Sequence, residues 1–130
     1  MASIQESLTS ITEIDGAIGA VIVDHESAVT LGTIGGGDLD MELAGAGNTR
    51  VTLMILEALE ENERSETPED VLVTLDGQYH LTRFSAEHET IFTYLILDRA
   101  EANLALARRQ LAQVEQALNL DEIQDDNPLR

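Results

Sequence analysis

Apolar and polar positions divide the chain into eight segments. At 3–13, Ile4, Leu8 and Ile11 fall on one helical face. Ser3 and Glu6 have the spacing of a capping box, in which each side chain satisfies a free backbone N–H at the helix start. Residues 17–24, AIGAVIVD, are apolar or small on both faces, which predicts a central strand. A polar break of hairpin length follows at 24–27. The next strand, 28–34, is weakened by Thr30, Gly32 and Thr33 and suits an outer position.

Residues 38–61 read as a long helix, with Asp38 as its cap and Asp40 and Glu42 at its positive end. Ala44, Val51, Ile55 and Ala58 form one apolar stripe. Met41, Gly45, Thr52, Leu56 and Leu59 form a neighbouring one. Together they make a face broader than one side of a sheet needs. A charged connector, 60–68, follows. Asp76-Gly77 between alternating runs at 69–75 and 78–84 is a strong hairpin signal. After a turn at 85–89, residues 90–97 are apolar on both faces and predict a second central strand.

The last helix is read at 98–118, with Asp98 capping and Glu101 completing the box. Its seam is Ala100, Leu104, Ala107, Leu111, Val114 and Leu118. The order is αββαβββα, which one mostly antiparallel sheet with helices on both faces accommodates. One domain is expected over 1–118. Residues 119–130 carry Asp121, Glu122, Asp125 and Asp126 with little apolar content, and predict a disordered acidic tail.

Charge narrows the partners. Seven basic residues, all arginine, stand against 25 acidic ones, for a net charge of −18. Such a surface repels phosphate backbones and anionic lipid, so neither nucleic-acid binding nor membrane insertion is expected. It is either simply a solvated acidic surface or one that attracts a basic partner face. Without cysteine the chain has no disulfide or thiolate metal site. The N-terminal stretch lacks the pattern of a secretory signal, and no apolar run reaches the roughly 20 residues that span a bilayer. A cytoplasmic location is the expectation.

The chemical motifs are few. Gly32, Gly35, Gly36 and Gly37 precede the long helix, and a helix N-terminus can hold an anion. They miss the spacing of both the P-loop and the dinucleotide fingerprint, and the chain has no lysine. A flexible strand-to-helix turn is the stronger reading; phosphate binding remains the alternative. His25, His80 and His88 are scattered and give weak support for zinc. The acids of the tail lack a calcium-loop pattern. No serine or threonine pairs with a base from spacing alone. Arg108-Arg109 reads as a favourable contact with a helix end or nearby acids, with a partner contact as the alternative.

Two stretches resemble the Roadblock/LC7 family. One is Gly16-Ala17-Ile18-Gly19-Ala20-Val21-Ile22-Val23-Asp24, after a short helix. The other is Asn103-Leu104-Ala105-Leu106-Ala107-Arg108, in the last helical segment. The resemblance covers residues 3–118 in the same element order. Ala105 replaces the usual glycine, and His25-Glu26-Ser27 replaces the common Asp-Gly turn. The resemblance implies an α+β, profilin-like α-β-α sandwich whose five-stranded antiparallel sheet has the order 2-1-5-4-3. It implies a homodimer joined at the third strand and the long helix, in most cases without enzyme activity of its own; no cofactor is expected. Its implied partner is a small Ras-like GTPase, and some such proteins join assemblies with sensor kinases.

The leading expectation is therefore a non-enzymatic homodimeric scaffold or regulator of a small Ras-like GTPase. The alternative is a small-ligand or nucleotide-binding sensor module. No catalytic, cofactor or metal residues are assigned. The expected dimer interface is Gly45, Thr52, Leu56, Leu59, Val71, Val73 and Leu75. Arg50, Arg64 and Arg83 are the candidate partner-binding residues.

Overall fold

Ser3 opens the fold as expected. Its hydroxyl accepts from the Glu6 N–H while the Glu6 carboxylate accepts from the Ser3 N–H, starting α1 (Ile4–Ile11). The chain is described here from a computed structural model, which covers residues 2–62 and 66–120. After α1 come β1 (Ala17–Asp24), β2 (Val29–Gly35), α2 (Met41–Glu61), β3 (Asp70–Thr74), β4 (Gln78–Phe84), β5 (Ile91–Asp98) and α3 (Leu104–Ala117). All strand pairs are antiparallel, in the order β2-β1-β5-β4-β3. The two strands that are apolar on both faces, β1 and β5, sit inside the sheet. The weaker β2 and the short β3 form its edges.

The sheet separates two cores. Leu8, Ile11, Ile22, Leu81, Leu95, Leu97 and Leu111 join α1 and α3 to one face. Val21, Val23, Met41, Phe84, Phe92, Tyr94 and Ile96 lie on the other face, beneath α2. The second core is the smaller, and polar side chains border it: Thr49, Thr52 and Thr82 are all buried. One helix and a part-polar lining therefore serve a whole sheet face, while two helices serve the other.

Three helix and turn boundaries differ from the expectation. Asp38 does not cap α2; Asp40 does, its carboxylate accepting from the Leu43 N–H at 3.1 Å. The reason is the glycine run. Gly35, Gly36 and Gly37 all take positive φ, and a Leu39 N–H to Gly36 carbonyl bond closes a turn before the helix can start. Asp98 does not cap α3 either. β5 continues through it, its carboxylate binds the Ala100 N–H, and Asn103 caps α3 by accepting from the Leu106 N–H. In the β1–β2 connection Ala28 belongs to the turn, with φ of 60°, so β2 begins one residue late.

Residues 119 and 120 remain docked on the domain. The Asn119 N–H donates to the Ala2 carbonyl, and Leu120 packs on the α1–α3 core. The rest of the expected acidic tail, 121–130, lies outside the described residues.

Candidate functional site

The glycine turn is the first candidate, and its geometry is inward. The Gly36 N–H donates to the Ile18 carbonyl at 2.8 Å, so this amide closes the turn onto β1 rather than facing a ligand. A Cβ on Gly19 would lie 2.7 Å from the Gly36 nitrogen, and one on Gly36 would meet Met41. These glycines let the turn lie flat on β1 and under the start of α2. Asp38 and Asp40 add negative charge at the same place.

The second candidate is the outer surface of α2 and β3. Residues at helical spacing divide into two sets. Met41, Gly45, Thr49 and Thr52 are buried against the sheet. Gly45 is small because the Val21 methyls would lie 3.1 Å from a Cβ there, which brings α2 close to β1. Gly45 and Thr52, expected at an interface between chains, are thus turned into the chain's own core. Leu56 and Val71 pack on that core from its margin, and Leu59 is half-buried. The apolar residues facing outward are others: Leu43, Val51 and Met54 on α2, with Met54 69% exposed. Val73, at 47%, on β3 and Leu75, at 43%, just past its end are exposed as well. Sequence periodicity puts Val51 in one apolar stripe but leaves Leu43 and Met54 outside both, so it does not find this outward set.

β3 is also an open sheet edge. Glu69 and Leu75 bond β4 through Phe84 and Gln78. The strand between them follows the Val71–Thr82 and Val73–His80 register. By antiparallel alternation the backbone groups of Asp70, Leu72 and Thr74 then point away from the sheet, available to another strand. Asp70 is tied back by Arg108, whose Nε and Nη2 donate to its two carboxylate oxygens at 3.1 and 3.3 Å.

Between α2 and β3 lies a cleft of about 90 Å³, lined by Val51, Ile55, Val71 and Val73 with a polar group at its base. There the Asn48 amide donates to the Thr82 hydroxyl at 2.8 Å. The His80 Nε2–H donates to the Gln78 Oε1 at 2.9 Å, and its Nδ1 accepts from the Tyr94 hydroxyl at 2.7 Å. Every nitrogen of a neutral ring is thereby used. Burial pushes the His80 pKa below its ordinary value and the Tyr94 pKa above its own. The other histidines are apart: His25 stacks on Phe92, and His88 lies near the Leu118 carbonyl. Among the described residues no group of three or more histidine and acidic side chains is placed to hold a metal ion.

The candidate arginines are not brought together. Arg50 is exposed on α2. Arg83 is part-buried on β4, next to Thr82 and Phe84, which face α2, and so projects to the opposite side of the sheet. Arg64 lies outside the described residues. No described helix is long and apolar enough to cross a membrane.

A single antiparallel 2-1-5-4-3 sheet, with two helices on one face and one on the other, defines the class as an α-β-α sandwich. The chain has the Roadblock/LC7 fold. A Roadblock/LC7 domain from Streptomyces avermitilis superposes with a TM-score of 0.76 at 11% identity, over 95% of this chain and 99% of that one. Myxococcus xanthus MglB gives 0.69 at 11% identity, over 93% and 90%. MglB in a tetrameric arrangement gives 0.64 at 11% identity, over 86% and 87%. No family model matches the sequence, and no curated protein is significantly similar to it.

Proposed function

We propose that two copies of the chain pair through α2 and β3, and that the pair is a non-enzymatic regulator of a small Ras-like GTPase. One observation carries this reading: the exposed apolar strip of Val51, Met54, Val73 and Leu75 runs beside an unpaired strand edge. Joining β3 to its copy extends the sheet across both chains and brings α2 against its copy. Such a two-fold contact is self-complementary and closed. It covers the edge and the apolar strip together. The tetrameric arrangement of the MglB neighbour supports self-association.

The partner class comes from the resemblance in the two sequence stretches, and the likeness of fold to MglB supports it. The net charge of −18 adds a physical expectation of attraction to a basic partner surface. The test is co-purification with each Ras-like GTPase of the same genome, followed by association kinetics at rising salt. Association slows as ions screen the attraction over about 8 Å, and dissociation changes less. Failure to bind any of these GTPases overturns the partner; the pairing is tested separately by mass. On this reading the chain shows no saturable binding of GTP or ATP by itself.

A further inference from the structure

A groove lies at the end of the sheet that carries the β1–β2 turn and the β4–β5 loop, apart from the α2–β3 strip. It has a volume of about 600 Å³, and its floor is His25, Leu56 and Phe84. Leu53, 43% exposed, extends the floor along α2. The His25 ring is itself seated, stacked on Phe92 at 6.2 Å between centroids.

The far wall is built rather than loose. Glu115 on α3 is only 3% exposed, and its Oε1 accepts from the Ser85 hydroxyl at 2.6 Å and the Ala86 N–H at 3.0 Å. The Ser85 oxygen accepts in turn from the His88 N–H, and the Thr90 carbonyl accepts from the His25 N–H at 2.8 Å. A buried carboxylate thus fixes the backbone of a surface loop. That loop presents Glu87 and Glu89, and the β1–β2 turn adds Glu26 to the lining beside Glu89. All three are exposed, and none has an ion-pair partner among the described residues. No arginine lines the groove.

We propose that this groove docks a segment of another protein that is rich in arginine or lysine and carries a bulky apolar side chain. The apolar side chain rests on Leu53 and Leu56, and the cations meet Glu26, Glu87 and Glu89. A preordered wall lowers the ordering cost of binding. Exposed carboxylates that line one groove without counter-charges are the complement of a basic segment. The docking does not depend on pairing through α2 and β3.

The test uses the full chain and a fluorescein-labelled peptide of alternating arginine and leucine, read by anisotropy, with an all-arginine peptide of equal length beside it. The alternating peptide binds saturably, about tenfold tighter than the all-arginine one. Leu53→Ser, at a site already open to solvent, weakens the alternating peptide by about fivefold and leaves the all-arginine peptide unchanged. A Glu26→Arg/Glu87→Arg/Glu89→Arg variant abolishes saturable binding. Glu13→Arg/Asp15→Arg/Glu101→Arg, the same charge change at the opposite end of the sheet, leaves it nearly intact, and so does Val73→Asp in the pairing strip. Equal loss from both triple variants shows a general attraction to an acidic protein and overturns the site. So does an unaltered affinity in Leu53→Ser. Mass that grows with concentration and reverts in Leu53→Ser, without peptide binding, assigns the groove to a second copy and also overturns it.

Discussion

Two residues show how local chemistry is spent in this fold. Ala28 holds a positive φ at a turn where glycine is the usual choice. The Asp24 carboxylate stabilises that turn by accepting from the Glu26 N–H, yet the methyl group at residue 28 still strains it. Ala28→Gly removes the strain and raises stability by about 0.5–1 kcal/mol, measured by urea unfolding at constant m-value. A loss of stability would show that the turn does not adopt this conformation. His80 tests the polar base of the α2–β3 cleft. Burial lowers its pKa from the ordinary 6.5, so the unfolded chain binds the proton more readily. Its contribution is fully present above pH 6.5 and is lost as pH falls towards the folded value. Tyr94 and Gln78, which bond the ring, are uncharged through this range. The melting temperature of the wild type should therefore fall more steeply than that of His80→Gln as pH drops below 6.5. Parallel curves would contradict the buried, neutral ring.

At the scale of elements, much was legible in the sequence, and the misses have physical causes. β1 and β5 announced their central positions by being apolar on both faces, and the Ser3–Glu6 box announced α1. Asp76-Gly77 placed the β3–β4 hairpin, which Arg99 then braces by donating to the Leu75 carbonyl. Caps were harder. Each long helix has two capping residues within reach in sequence, and the choice between them depends on where the preceding strand or turn ends. Three positive-φ glycines push the start of α2 past Asp38 to Asp40. Accordingly Asp40→Ala costs about 1 kcal/mol of stability, as loss of an N-cap does, while Asp38→Ala stays within about 0.5 kcal/mol. Denaturant titration of both variants decides this, and the reverse ranking would contradict the observed helix start. The division of α2 into inward and outward stripes was not legible at all. Apolar spacing alone cannot tell a stripe that meets the sheet from one that meets another chain. The close approach of Val21 to Gly45 makes that distinction. Nor could spacing find the bond from Glu115 to the 85–89 turn, since its partners are 29 and 30 residues apart.

The whole molecule is asymmetric about its sheet. Two helices close one side of the sheet; one helix, over a part-polar lining, covers the other. The apolar strip of α2 and β3 is the surface this arrangement leaves open. Pairing of two chains through this strip would cover both the apolar residues and the β3 edge. Sedimentation equilibrium of the wild-type chain at micromolar concentration tests it most directly. The expected particle has twice the 14.2 kDa chain mass, and Val73→Asp or Met54→Asp shifts it towards the single-chain mass. A wild-type particle of 14.2 kDa across that concentration range would contradict it.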